Sequence, residues 1–280
     1  MDRTRELLAA RGLRPKKSKG QHFLTRDEVL DRIAAAARIS PGETVIEVGP
    51  GTGNLTRQLL AAGAQVTAIE LDPDLVGLLR IEIASPNFTL IEANALTVDY
   101  AALAGGRRVK LAANIPYNIT SPLFFKFLEE RENFSDLLVL IQKEVADRIT
   151  AVPGGHNYGI ISVQAQLLFD CELLFEVGPE AFTPRPRVSS ALVRLTPLPS
   201  PRFPVNDLDF CRRLVRAAFG HRRKTLRNSF GPAPGLPGRD QMVAALEAAG
   251  IDPSRRPETV KVEEYVLLSN IIDKEDKRHA

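Results

Sequence analysis

The sequence predicts an α/β protein, with a mostly parallel seven-stranded sheet covered by helices and a small all-helical unit after it. Three observations carry this. From residue 44, short apolar runs alternate with helical stretches, as strands joined by crossover helices do. A glycine-rich loop, Gly49-Pro50-Gly51-Thr52-Gly53, separates the first such strand from the next helix. The segment 197–204 holds four prolines in eight residues, and beyond it the apolar residues recur at helical spacing.

In chain order, residues 3–11 suit a helix, followed by the basic segment Pro15-Lys16-Lys17-Ser18-Lys19-Gly20. Thr25-Arg26-Asp27-Glu28 has the spacing of a capping box, and apolar residues from Val29 through Ile33 to Ala37 continue the helix until Pro41-Gly42 breaks it. Strands are expected at 44–48, 66–70, 88–92, 109–113 and 137–141, with two closing strands at 173–177 and 191–195. Helices are expected at 55–62, 74–83, 122–130 and 143–150. After the prolines come helical patterns at 208–219, 241–249 and 262–272, with a short basic turn leading to Phe230. The expected domains are therefore 1–198 and 199–280, and no internal repeat is present.

Composition bounds the function. The chain has 280 residues, 44% of them hydrophobic, enough for a full core. No apolar run reaches the roughly 18 residues of a membrane span. The N-terminus is charged and lacks the apolar centre of a signal peptide. Two cysteines make no disulfide framework, and four scattered histidines offer no metal spacing. A soluble protein of the cytoplasm, not bound to membrane and holding no metal, is the expectation. The net charge of +3 conceals a segregation. Residues 1–20 carry seven Lys/Arg against two acids, residues 21–200 carry 15 against 21, and residues 201–280 carry 15 against 11. Basic ends around an acidic middle suit a polyanion gripped at both ends, with a different ligand in the centre.

The chemistry is expected where strands end. Asn114-Ile115-Pro116-Tyr117 follows the apolar run 109–113, so these residues emerge at a strand's carboxyl end, where open α/β sheets form their ligand crevice. Asn114 offers a carbonyl acceptor, Pro116 fixes φ and biases Ile115 toward an extended backbone, and Tyr117 offers a flat ring for stacking. A tetrad of this form resembles the signature of methyltransferases acting on the exocyclic amine of a nucleobase. An ordinary strand exit with an incidental Tyr is the plainer alternative. The glycine loop lacks the third glycine of a dinucleotide fingerprint, because position 54 is Asn. Its G-x-G-x-G spacing behind Glu47 resembles the S-adenosylmethionine loop of methyltransferases. Seventeen residues after Gly53, Glu70 ends the second strand, where a carboxylate can accept from both hydroxyls of a ribose. Asn94 ends the third strand and suits either an adenine amine or simply a turn.

Several stretches agree with one family in order and spacing: Gly20-Gln21-His22-Phe23-Leu24, Gly49 to Gly53, Glu70, Asn114 to Tyr117, Phe182-Thr183-Pro184-Arg185-Pro186-Arg187-Val188-Ser189-Ser190, and Arg222-Arg223-Lys224-Thr225-Leu226-Arg227-Asn228. From about Lys16 to Tyr265 the chain resembles the bacterial small-subunit rRNA adenine N6,N6-dimethyltransferases, the KsgA/RsmA family. The resemblance implies a Rossmann-like class I methyltransferase domain using S-adenosylmethionine, with S-adenosylhomocysteine as product. It implies transfer of two methyls to each of two adjacent adenosines in a hairpin loop near the 3′ end of 16S rRNA. The partner would be that RNA within a pre-30S particle, and a monomer is expected for want of a coiled-coil seam.

Carried over by position, His22, Leu24, Gly49, Gly51, Gly53, Glu70, Asn94 and Asn114 would surround the cofactor. The family commonly has Asn where His22 stands and Asp where Asn94 stands. Asn114 and the Ile115 carbonyl would hold the target amine, with Tyr117 stacking on one face of the base and Phe182 closing the other. Lys16, Lys17, Lys19, Arg222, Arg223, Lys224 and Arg227 are the expected RNA contacts. An RNA-binding assembly or transcription factor with vestigial methylation is the alternative from another class.

Overall fold

The computed structural model describes residues 3–16, 19–221, 224–230 and 235–279, with side chains through Asp273. The N-terminal segment forms α1 (Arg3–Ala10), the short strand β1 (Phe23–Leu24) and α2 (Asp27–Ala36). Alternation then runs β2 (Thr44–Val48), α3 (Asn54–Ala61), β3 (Gln65–Glu70), α4 (Pro73–Glu82), β4 (Phe88–Glu92), α5 (Tyr100–Ala104), β5 (Val109–Asn114), α6 (Thr120–Glu129), β6 (Phe134–Gln142) and α7 (Lys143–Ile149). α8 (Ile160–Leu168) leads into β7 (Phe169–Val177), β8 (Phe182–Thr183) and β9 (Ser190–Pro197). The tail forms α9 (Leu208–Gly220), α10 (Leu226–Ser229), α11 (Arg239–Ala248) and α12 (Val262–His279).

The seven-stranded sheet has the order β4-β3-β2-β5-β6-β9-β7. β2 is parallel to both β3 and β5, β3 to β4, and β5 to β6, while β9 runs antiparallel to β6. In β2, Val45, Ile46, Glu47 and Val48 are at most 2% exposed, which suits a strand covered on both faces. The chain steps from β2 toward β3 and β4 on one side, then returns to build β5 and β6 on the other. Strand order therefore reverses between β2 and β5, and a crevice opens at their carboxyl ends.

Two local expectations fail for identifiable reasons. Arg26, not Thr25, caps α2, and no side chain closes the cap. β1 pairs with β8, and this pulls Thr25 aside, so that its N–H and hydroxyl both donate to the Ala181 carbonyl, at 2.8 and 3.2 Å. α8 was not expected at all. Ser162, Val163, Gln164, Ala165, Leu167 and Leu168 are all buried, so the helix has no polar stripe to give it a 3.6-residue signature.

Residues Met1–Ala146 with Glu172–Pro197 form one compact unit, and Asp147–Cys171 with Leu198–Ala280 form a second. The chain thus crosses three times, where the sequence suggests one crossing near 198. The extra crossings come from α8 belonging to the second unit, where Gln164 Nε2 donates to the Arg212 carbonyl on α9 at 3.4 Å. In the second unit Phe219 lies 6.4 Å from the Tyr158 ring and 6.0 Å from the Tyr265 ring, and the Tyr265 hydroxyl donates to the Pro257 carbonyl at 2.8 Å. No helix among the described residues is long and apolar enough to cross a membrane.

One buried acid sits at the heart of the first unit. Glu47 is 1% exposed, and the Thr56 hydroxyl donates to its Oε2 at 2.6 Å. Burial pushes its pKa up to about 8, a rise that the Thr56 hydrogen bond opposes and the nearby charge of Glu70 assists. The folded value lies above the ordinary 4.5, so Glu47 contributes stability that is full below that value and lost as pH rises through about 8. Glu47→Gln is neutral at every pH and keeps an acceptor for Thr56. Its melting temperature should therefore fall less than that of the wild type between about pH 5 and about pH 9, a difference on the order of a few kcal/mol. Parallel curves from scanning calorimetry would show that Glu47 is already ionised in the folded state.

Candidate active site

Four strand ends and one N-terminal segment build the pocket. β2 ends in the loop carrying Gly49 and Gly51. Gly51 has φ of +60°, and a Cβ there would lie 2.8 Å from Cδ1 of Phe23. Glycine is thus required both by the turn and by the close approach of β1. Gly53 does different work. It caps α3 at φ of +77°, and a Cβ there would press to 2.7 Å from Cδ1 of Ile83. It serves helix packing and does not line the pocket.

β3 ends in Glu70, whose carboxylate is pinned by backbone. Oε1 accepts from the N–H groups of Leu71 at 2.9 Å and Asp72 at 2.8 Å, and Oε2 accepts from Gly51 N–H at 3.3 Å. Burial raises its pKa above the ordinary value, and these three hydrogen bonds work against the rise. Oε2, with only the long Gly51 bond among the described residues, is the oxygen best placed for a further donor. Beside it Leu71 lines the pocket while 54% exposed, an apolar side chain left in view at a pocket wall. Sequence reasoning passed over Leu71, although an apolar residue directly after a strand-ending acid is a readable signal. Asn94, after β4, lines the pocket and also makes a turn, its Oδ1 accepting from Leu96 N–H at 3.0 Å.

β5 ends in Asn114. Its Nδ2 donates to the His22 carbonyl at 3.0 Å. A carbonyl can only accept, so the amide orientation is fixed and Oδ1 is turned the other way. Ile115 is buried and its N–H donates to the Leu140 carbonyl, which ties the tetrad to β6. The Pro116 carbonyl accepts from Ile119 N–H at 3.1 Å, closing a tight turn. Tyr117 is held at both ends, with its hydroxyl 2.7 Å from Ser190 Oγ and its ring 5.3 Å from the His22 ring at a 31° tilt. His22 Nδ1 lies 2.7 Å from the Pro184 carbonyl, so Nδ1 carries the proton and Nε2 is the ring's acceptor when neutral.

His22, Gly49, Gly51, Glu70, Asn94, Asn114, Ile115, Pro116 and Tyr117 all line one pocket of about 830 Å³, its open mouth included. Leu24 and Phe182 do not. Both are 3% exposed and lie opposite each other where β1 pairs with β8, inside the hydrophobic core. The Leu24 carbonyl accepts from Asn54 Nδ2 at 2.8 Å, which secures the start of α3. Phe182 packs among core side chains, so the expected role of closing a base's second face has no exposed ring to perform it.

The N-terminal basic segment is also spoken for. Lys16 Nζ lies 2.7 Å from both Asp72 and Asp74, Lys19 Nζ lies 3.4 Å from Asp72, and Gln21 Nε2 donates to Asp72 at 2.9 Å. Lys16 and Lys19 thus neutralise acids at the edge of the pocket and are not free for RNA phosphates in this structure. Lys17, Arg222 and Arg223 lie outside the described residues. Lys224 and Arg227 are exposed. Among the described residues no group of His, Cys, Asp and Glu is placed to hold a metal.

Known proteins resemble the chain over most of its length. The family model described as ribosomal RNA adenine dimethylase matches residues 12–274. The chain is 43% identical to ribosomal RNA small subunit methyltransferase A of Myxococcus xanthus, over 97% of this chain and 96% of that one. It is 41% identical to the protein of the same name from Pseudomonas aeruginosa, over 92% and 94%. Among solved structures it resembles a dimethyladenosine transferase from Plasmodium falciparum, with TM-score 0.76 and 26% identity over 92% of this chain and 98% of that one. It also resembles the 23S rRNA methyltransferase ErmE, with TM-score 0.68 and 28% identity over 90% and 99%.

The Lys16–Asp72 network gives a test of how the pocket is bounded. Burial alone would raise the pKa of Asp72. Hydrogen bonds from Lys16 and Gln21, with the charge of Lys19, outweigh that and hold it below the ordinary carboxylate value. The depressed value means this anchoring is present above about pH 4 and is lost as pH falls through the folded pKa. Asp72→Asn should release the segment at neutral pH while keeping the α4 cap, where Asp72 now accepts from Asp74 N–H. Amide hydrogen exchange at Lys16 and Lys19 to Gln21 should quicken by roughly tenfold, the equivalent of about 1.4 kcal/mol of lost protection. Unchanged exchange would mean that packing on the glycine loop, and not charge, holds the segment.

Proposed function

The chain belongs to the ribosomal RNA adenine dimethylase family, and on that premise we propose how its site works. It is an S-adenosylmethionine-dependent methyltransferase that dimethylates N6 of two adjacent adenosines near the 3′ end of small-subunit rRNA. Its substrate is that RNA within a partly assembled pre-30S particle, and it acts as a cytoplasmic monomer. The observation that carries this reading is the orientation of Asn114, whose Oδ1 is left as an acceptor at the carboxyl end of β5.

The pocket fits S-adenosylmethionine by its donor set. The pinned Glu70 carboxylate suits a ribose diol. Exposed Leu71 offers an apolar wall for a flat base, and Asn94 stands beside it. Glu70 with Gly49, Gly51, His22 and Asn94 would hold the group, which supplies an electrophilic methyl when bound.

The rest of the chemistry belongs to the chain. The N6 lone pair of adenine is delocalised into the ring, so the amine needs positioning more than a strong base. Asn114 Oδ1 and the Ile115 carbonyl accept hydrogen bonds from its N–H groups and draw the nitrogen toward tetrahedral geometry. The proton is lost to solvent once methyl transfer has made N6 cationic. The adenosine must leave its stack to reach them, which costs least in a loop. Tyr117, with its ring set by Ser190 and His22, receives the base on its flat face, a contact worth about 1–3 kcal/mol. Rate then comes mainly from in-line placement of the nitrogen against the methyl. An acceptor pair this well fixed would be superfluous in a factor that only binds RNA.

Asn114→Ala removes an interaction made chiefly in the transition state. Transfer of tritiated methyl to unmethylated small-subunit particles should fall in kcat by roughly a hundredfold or more, with particle affinity within a few fold. Near-normal kcat would take Asn114 out of the mechanism.

The basic turn of the second unit is the RNA grip in this reading. Between Arg202 and Arg227 there are eight Lys/Arg and only Asp207 and Asp209 as acids. The nearby acids Glu263 and Glu264 are engaged elsewhere, with Lys261 at 3.6 Å and Arg255 at 2.6 Å. Replacing Arg222, Arg223 and Lys224 together with Ala should weaken particle binding and lower the slope of log affinity against log salt by roughly 0.7–0.9 per lost contact. Cofactor affinity should not change. A lower melting temperature with the slope intact would assign the turn to stability instead.

A further inference from the structure

Phe182 lies in the core, so the exposed part of the segment that follows it calls for another role. The residues after β8 alternate in burial: Pro186 is buried, while Arg185 and Arg187 on either side of it are exposed. Pro186 faces inward, and Pro184 and Pro186 both restrict the backbone, so the two arginines stand on a pre-set frame. Both ends of the loop are fastened to pocket residues. The Pro184 carbonyl accepts from His22 Nδ1 at 2.7 Å, and Ser190 Oγ lies 2.7 Å from the Tyr117 hydroxyl. The Ser189 carbonyl accepts from Lys143 N–H at 2.9 Å. From Ala181 through Arg194 the sequence has no acid, and neither Arg185 nor Arg187 has an ion-pair or hydrogen-bond partner among the described residues. Other cations near the pocket are neutralised, as Lys16 and Lys19 are by Asp72 and Asp74. Two free arginines at one rim are therefore conspicuous.

We propose that Arg185 and Arg187 grip the RNA backbone beside the target adenosine and thereby position that nucleotide over the Asn114 pocket. Residues i and i+2 lie at most about 7 Å apart along a chain, so two long arginine side chains there can reach neighbouring phosphates of one strand. The planar fork of arginine binds phosphate oxygens in pairs, which orients the backbone as well as attracting it. This grip is local to the reacting base, whereas the basic turn of the second unit binds RNA through residues of a different unit. The proposal rests on the reading of the chain as an RNA methyltransferase.

The experiment uses the full-length protein, S-adenosylmethionine and small-subunit particles lacking the N6 methyls. Arg185→Ala with Arg187→Ala should raise KM for particles roughly tenfold at moderate salt and lower the log–log salt slope of binding by about 1.4–1.8, the share of two phosphate contacts. Cofactor affinity and melting temperature should match the wild type, because neither side chain holds anything within the protein. The paired Arg→Lys variant keeps both charges and should recover the slope, while its methyl transfer remains below wild type for want of the paired geometry. A wild-type slope and KM in the double Ala variant would overturn the grip. Loss of affinity with the slope unchanged would also overturn it, assigning the loop to packing. Wild-type protein that transfers no methyl to these particles would sink the functional reading itself, whatever the variants do.

Discussion

The site exists because strand order reverses between β2 and β5. Two neighbouring parallel strands whose connections leave in opposite directions have carboxyl ends that no crossover covers. The glycine loop therefore emerges from β2 beside the Asn114 tetrad from β5. The segment around His22 closes the gap between them, touching the first through Phe23 against Gly51 and the second through the His22 carbonyl. Remove the reversal and the two loops would belong to different places on the sheet.

Electrostatics divide the two acids that share this region. Glu47 and Glu70 lie at or near the ends of adjacent strands, and the charge of Glu70 raises the cost of ionising Glu47, yet only Glu70 is surrounded by backbone N–H groups. Glu47 has one hydroxyl donor and a pKa near 8, so at neutral pH it is mostly a neutral buttress beneath the loop. Glu70 has three donors and is the acid that can meet a ligand. Asp72 is kept charged by Lys16, Lys19 and Gln21, and so the basic N-terminal segment is fastened to the rim of the pocket. Charge thus separates a buried structural acid, a pocket acid with an oxygen left for a further donor, and an anchor.

Much of this was legible in sequence, where local pattern and final environment coincide. Strands at 44–48 and 109–113 announce themselves because central parallel strands, covered on both faces, are rich in apolar residues. The strand at 88–92 keeps enough of that pattern to be read although it lies at the sheet edge. Asn114, Glu70 and Gly51 could be placed because strand ends and glycine turns are local features. What escaped depended on partners distant in sequence. Lys16 looks like an RNA contact until folding brings Asp72 beside it. Phe182 looks like a stacking platform until β1 pairs with β8 and seals it in the core. Gly53 looks like a ligand contact until Ile83 is found against it. α8 is silent because a helix buried all round has no amphipathic period to detect.

The Asn114 amide shows why one departure from the family pattern is tolerable. An amide used as an acceptor must be prevented from flipping, since its nitrogen would then face the substrate amine as a second donor. The safest guard is a group that can accept and never donate. The His22 backbone carbonyl is such a group, and every residue type at that position supplies one. The side chain of residue 22 is thereby freed from guarding Asn114. Asparagine and histidine both carry an N–H that can reach a carbonyl, and here the imidazole spends its Nδ1 proton on Pro184. A change of residue type at position 22 therefore alters how the loop of residues 184–190 is fastened, while the Asn114 amide keeps its orientation.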